Sequence, residues 1–262
     1  MTKTILITGA TDGIGLLTAK TLAAEGHRIL LHGRSASKLA TAAKEVGGLT
    51  ETYTADLSRM ADVYALAAEI RKNHTQLDAL INNAGVLKIA DTQTAEGFDV
   101  RFMVNTIAPY VLTQELRPII PKQGRIVNLS SAAQAQVDLA ALMGRKPLAD
   151  MEAYAQSKLA ITIWSQELAK DCPAGPVIVA VNPGSLLASK MVKEGFGVAG
   201  KDLNIGADIL REAALGASFA DASGKYFDND SGAFAPPHAA ALDAAHSADV
   251  MRAIKDAVAK LN

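Results

Sequence analysis

Five short apolar runs recur along the chain, separated by longer stretches whose apolar positions return at helical spacing. TILIT (4–8), RILLH (28–32), ALIN (79–82), RIVNLS (125–130) and VIVAVN (177–182) contain few polar positions. A strand with one wet face alternates; strands apolar on both sides belong in a parallel sheet covered on both faces. LLTAKTLAAEG (16–26) and SKLATAAKEV (37–46) read as helices, and Gly26 stands where a C′ glycine ends one. Strand–helix alternation with right-handed crossovers predicts an α/β, doubly wound parallel sheet of about seven strands with helices on both faces. Near the end, GKYFDND (224–230) predicts a last strand, and SADVMRAIKDAVAKL (247–261) an amphipathic helix.

Composition narrows the function classes. At 262 residues, 49% apolar and 20% charged, the chain is long enough for one large core, so a single domain over 1–262 is expected. A net charge of −1 argues against nucleic acid or an acidic membrane surface as partner. Cys172 is the single cysteine, so no internal disulfide forms and an intracellular, cytoplasmic setting is expected. The apolar run before the first glycine turn is too short for a signal peptide, and no run approaches a membrane span. The five histidines lack metal-ligand spacing, so no metal is expected, and His238, after two prolines, reads as a loop residue.

The first chemistry lies after the first strand, in TGATDGIG (8–15). A glycine-rich loop that follows a strand and opens a helix lets backbone approach a pyrophosphate, at the positive end of the helix dipole. That makes Gly9, Thr11, Asp12, Gly13, Ile14 and Gly15 cofactor-binding candidates; a glycine turn without function is the blander alternative. After the second strand, an NAD site normally carries an acidic residue for the ribose hydroxyls. Here Gly33, Arg34 and Ser35 follow. A guanidinium pairs with a 2′-phosphate that a carboxylate repels, so Arg34 and Ser35 point to NADP(H) in preference to NAD(H).

The second chemistry lies in MEAYAQSKLAI (151–161). Tyr154 and Lys158 are four apart, one turn along one helix face. A nearby ammonium favours phenolate, so the pair is expected to lower the tyrosine pKa and make the phenol an acid or base. By itself the pair also fits an ordinary solvated helix face.

TGATDGIG, NNAG (82–85), NLSS (128–131), YAQSK (154–158) and NPG (182–184) occur in that order. With these motifs, covering about residues 4 to 190, the chain resembles the short-chain dehydrogenase/reductase family. The resemblance implies a single Rossmann domain acting on a small-molecule carbonyl or alcohol, often as a homodimer or homotetramer. It implies that Asn105 helps hold a proton-relay water. It makes Ser131 the hydrogen-bond donor to the substrate oxygen, with Ser130 the alternative one register away. It makes Tyr154 the general acid/base and Lys158 the residue that binds the nicotinamide ribose. It places Asp56 and Leu57 beside the adenine, Asn83, Ala84 and Gly85 along the adenosine ribose, and Pro183 and Gly184 beside the nicotinamide. Ser189 stands near a threonine position that contacts the carboxamide.

Ser131 and Tyr154 are 23 residues apart, a longer gap than in much of the family. The gap resembles the branch with retinol dehydrogenases, the WW-domain oxidoreductase and protochlorophyllide reductase. The inserted segment near 134–150 is expected to place Leu139, Leu142 and Met143 along a substrate pocket, or else to pack as a surface loop. Glycines at 195, 197, 200 and 206 suggest a lid over 186–206, with Met191 and Phe196 toward substrate or in helix packing. Two further functions stay open: an NADP(H)-binding regulatory protein without turnover, and a C=C reductase on the same fold.

Overall fold

The computed structural model describes residues 1–261, the side chains of Glu194 and Phe196 excepted, so the expectation for Phe196 lies outside the described residues. The strands are β1 Thr4–Ile7, β2 Arg28–Gly33, β3 Leu49–Thr54, β4 Ala79–Asn82, β5 Arg125–Leu129, β6 Val177–Asn182, β7 Tyr226–Asp228 and β8 Ala233–Phe234. They form one eight-stranded sheet in the order β3-β2-β1-β4-β5-β6-β7-β8. All neighbours pair parallel except β7 and β8. The helices are α1 Gly13–Ala24, α2 Ala36–Val46, α3 Met60–Asn73, α4 Val100–Phe102, α5 Ala108–Leu116, α6 Leu139–Leu142, α7 Asp150–Lys170, α8 Lys190–Phe196, α9 Asn204–Leu215 and α10 Ala244–Leu261. A π-helical turn, Met103–Ile107, joins α4 to α5.

Period-two side-chain alternation turns each continuous apolar strand toward two cores. Ile5, Ile7, Ile29, Leu31, Val127, Val179 and Val181 pack with α1, α2 and α9. Leu6, Leu30, Leu80, Ile126 and Ile178 pack on the other face with α3, α5, α7 and α10. The strand expected around GKYFDND is β7. The sheet also contains β3, whose LTETYT pattern carries no apolar run. It lies at the edge, paired only with β2, and Tyr53 alone of its residues is buried. Among the described residues no helix is long and apolar enough to cross a membrane.

The inserted segment is a packed part of the domain. Leu142 is wholly buried in the core, α6 lies against α10, and Leu139 and Met143 pack on the same cluster. Beside it the buried Arg101 guanidinium donates to Asp99 at 2.8 and 2.6 Å and to Asp150, pinning the end of the insertion to α4. Gly144 has φ +72°, and a Cβ there would stand 2.4 Å from the Gly97 carbonyl oxygen. Of the expected pocket wall, Leu142 is core, while Leu139 and Met143 are half-buried and pack on the same cluster, the arrangement expected of a segment buried on its apolar side.

β1 pairs with β2 on one side and β4 on the other. Chain order reverses there, which opens a crevice at the C-terminal strand ends.

Candidate active site

The glycine loop runs from β1 into α1 at that crevice. Asp12 caps α1, accepting from the Gly13 amide at 2.7 Å. Gly9 has φ +65°, and a Cβ there would sit 2.8 Å from Ala84 Cα, so only glycine lets this loop meet the NNAG turn. Asn83 Nδ2 donates to the Thr8 and Gly9 carbonyls at 2.8 and 3.0 Å, and the Ala84 amide donates to Thr8 Oγ1 at 3.0 Å. The Asn83 amide thus holds the loop in shape.

His32 completes the brace, a role its place in a buried strand did not signal. Its Nδ1 accepts from the Gly9 amide at 3.3 Å, which leaves Nε2 to donate to the Ala55 carbonyl at 3.1 Å. Burial drives the imidazole down to about 4, so it is neutral, as this pairing requires.

A cleft of about 470 Å³ follows the crevice. Gly9, Thr11, Asp12, Gly13, Ile14, Gly15, Arg34, Asp56, Leu57, Asn83, Ala84, Gly85, Tyr154, Lys158 and Pro183 all border it, as do Ser189 and Met191. Ser35 does not; its hydroxyl caps α2, accepting from the Lys38 amide at 3.4 Å. Gly184 lies behind Pro183, facing Ile205 and Leu187. Lys38 does border the cleft, and both it and Arg34 are exposed there, beyond the end of β2. The signal for Lys38 was its i+4 spacing from Arg34 across the start of α2. A separate surface depression of about 560 Å³ between α1 and α9 touches none of these groups.

At the other end, α7 carries Tyr154 and Lys158 on one face, with the ammonium 5.7 Å from the phenol ring centroid. Lys158 Nζ donates to the Leu129 carbonyl at 2.6 Å. Asn105 sits wholly buried in the π turn, a helix irregularity that often marks functional sites. Its amide exchanges hydrogen bonds with the Val86 backbone, accepting at 2.8 Å and donating at 3.0 Å, and donates to Ser157 Oγ at 3.0 Å. Ser157 Oγ in turn donates to the Tyr154 carbonyl at 2.7 Å, linking the π turn to α7. Ser131, the serine that lowers the Tyr154 phenol pKa in part, accepts from the Ala133 amide at 3.1 Å and does not border the cleft, whereas Ser130 does. Ser130 faces α7, with its hydroxyl 2.6 Å from Thr162 Oγ1 and 3.2 Å from the Lys158 carbonyl.

The expected lowering of the phenol pKa is corrected. Burial pushes Tyr154 above its ordinary value, and the Ser131 hydrogen bond offsets only part of this. The same exclusion of water lowers Lys158 to about 8. Both groups are driven toward their neutral forms because desolvation penalises charge of either sign.

A doubly wound sheet with a glycine loop at its switch point, and a Tyr/Lys helix across the crevice, is the architecture of a dinucleotide-type oxidoreductase. The family profile described as short chain dehydrogenase matches residues 3–196. Human retinol dehydrogenase 13 is 33% identical over 253 residues, covering 86% of this chain and 76% of that one. Human retinol dehydrogenase 12 is 32% identical over 256 residues, covering 90% and 81%. A short-chain dehydrogenase from Escherichia coli CFT073, crystallised with NADPH, superposes with a TM-score of 0.70 at 28% identity, covering 87% of this chain and 96% of that one. The chain belongs to the short-chain dehydrogenase family, in its retinol dehydrogenase-like branch.

Proposed function

We propose that this protein interconverts a carbonyl and an alcohol using NADP(H). One observation carries the reading: a single cleft joins Arg34 and Lys38, through the glycine loop, to Tyr154 and Lys158. Its size falls in the range of ordinary ligand sites, about 300–1,000 Å³. The residues fit a dinucleotide. Gly13 has φ +56° and no atom nearer than 3.9 Å to an added Cβ, so the loop offers bare backbone to the cleft. Arg34, Lys38 and Ser35 suit a 2′-phosphate, the first two by charge and the last by setting the start of α2. A relative of similar fold holds NADPH, which supports this choice.

A nicotinamide dinucleotide in this cleft supplies or accepts the hydride. This chain's residues manage the proton. Its raised pKa keeps Tyr154 protonated at neutral pH, the form that donates to a carbonyl oxygen as negative charge builds there. Ser131 steadies the same oxygen by hydrogen bonding. Lys158 holds the cofactor ribose and places positive charge beside the phenol. Asn105 locks the π turn behind both. Segment 186–206 serves as the lid, bringing Ser189 and Met191 to the cleft.

Arg34→Ala is expected to weaken NADPH binding by about 1.5–3 kcal/mol, the scale of a hydrogen bond to a charged group, and to leave NADH binding unchanged. Calorimetric titration with both cofactors checks this; equal losses for the two would remove the 2′-phosphate role. The activity itself is read by NADPH oxidation across aldehydes, ketones, quinones, steroids and retinoids. No turnover with any of them would count against the carbonyl reading.

A further inference from the structure

The end of β7 and the turn after it, residues 228–230, send all three side chains to the end of β6 and the loop that follows it. Asn182 Nδ2 donates to Asp228 Oδ1 at 2.8 Å and to Asp230 Oδ2 at 2.9 Å. Asp230 also accepts from the Ser185 amide at 2.9 Å and from the Ser185 hydroxyl. Asn229 Nδ2 donates to the Pro183 carbonyl at 2.9 Å and to the Ile205 carbonyl at 3.2 Å. Lys201 Nζ stands 3.8 Å from Asp230 Oδ1. One short turn therefore grips the stretch 182–185 and also the far leg of segment 186–206. From the same strand, the Tyr226 hydroxyl donates to the Ser131 carbonyl at 3.1 Å.

The gripped loop needs holding. Leu186, the next residue along and one with a side chain, has φ +56°. Such a conformation in a non-glycine residue persists only where its surroundings over-determine it. Asp230 is the natural centre of that restraint, because it accepts from Asn182 Nδ2 and from the Ser185 amide and hydroxyl, and it stands 3.8 Å from Lys201 Nζ on the far leg of segment 186–206. We propose that Asp230 is a positioning residue: it holds Pro183 at the height where the nicotinamide half of the cofactor meets Tyr154. The proposal rests on the dinucleotide reading above. Its prediction is asymmetric, since the adenosine half is held by the glycine loop and the Arg34 end, which Asp230 does not touch.

The test compares two ligands by calorimetry: NADPH, which spans the cleft, and adenosine 2′,5′-bisphosphate, which reaches only its adenosine end. Asp230→Ala is expected to weaken NADPH about ten-fold and raise its KM, by loss of hydrogen bonds to a charged acceptor, with the fragment affected less than about two-fold. Asp230→Asn, which keeps an acceptor without the charge, is expected to recover part of the loss. Ser185→Ala removes one partner while leaving the carboxylate in place, so it reports on the brace even where Asp230→Ala does not fold. It is expected to weaken NADPH about three-fold and spare the fragment. Unchanged NADPH affinity in Ser185→Ala and Asp230→Asn, or equal weakening of both ligands, would overturn the proposal. An unaltered protein that binds neither ligand would instead overturn the dinucleotide reading.

Discussion

Tyr154→Phe is expected to lower the turnover of carbonyl reduction by about 10²–10⁴-fold, the usual contribution of a positioned general acid, while NADPH affinity stays within a few-fold. The substitution removes one hydroxyl and keeps the ring beside the Lys158 ammonium. What is lost is a protonated phenol beside the cleft, hydrogen-bonded to Ser131. Two neighbouring donors are already engaged, Lys158 with the Leu129 carbonyl and Ser130 with Thr162. The pH dependence has a definite sign. The acid form exists below the phenol pKa, and burial has raised that value. Reduction should therefore hold through neutral pH and fall only on the alkaline side. Steady-state NADPH oxidation with a fluorescence titration of the cofactor checks both parts. Turnover retained within ten-fold would remove Tyr154 from the chemistry.

Lys158→Met is expected to abolish activity and yet to stabilise the cofactor-free protein at pH 7 by roughly 3 kcal/mol, from the 1.36 kcal/mol carried by each pKa unit. Lys158 is 4% exposed, and burial has brought its pKa from 10.5 down to about 8. The unfolded chain thus holds this proton more tightly than the folded one. Below pH 8 the fold bears the full cost of a buried ammonium. Between about 8 and 10.5 the unfolded state binds more protons, so that cost is relieved as pH rises. Methionine fills similar space without charge. Thermal melts should show Lys158→Met above the wild type at pH 7, with the gap closing toward pH 10. A variant that melts lower at pH 7 would show that the hydrogen bond to Leu129 outweighs desolvation. A residue that weakens the fold yet is required for turnover is the ordinary cost of an active site.

The legible part of this sequence is the part whose signals are local. Each apolar run became a strand to within about a residue, because a segment buried on both faces must be apolar throughout. The glycine loop, Arg34 and the Tyr154–Lys158 pair border one cleft, and the strand end, helix start and i+4 spacing that mark them are short-range facts. β3 was not legible, because an edge strand with mostly exposed residues need not be apolar. Lys38, four residues beyond Arg34, borders the same cleft, whereas the Ser35 hydroxyl caps α2 and does not border it.

By itself the order of residues along this chain determined the layers, the place of the crevice and the chemical types that meet there, since periodicity and turn chemistry act over a few positions. Only the folded arrangement decided what each group is spent on. It turned Leu142 into core by bringing α10 over α6, set His32 between Gly9 and Ala55, and brought the 228–230 turn onto the Asn182–Ser185 stretch. It also reversed the expected direction of the Tyr154 pKa. Burial depends on every element packed around a residue, and spacing along one helix carries no measure of it.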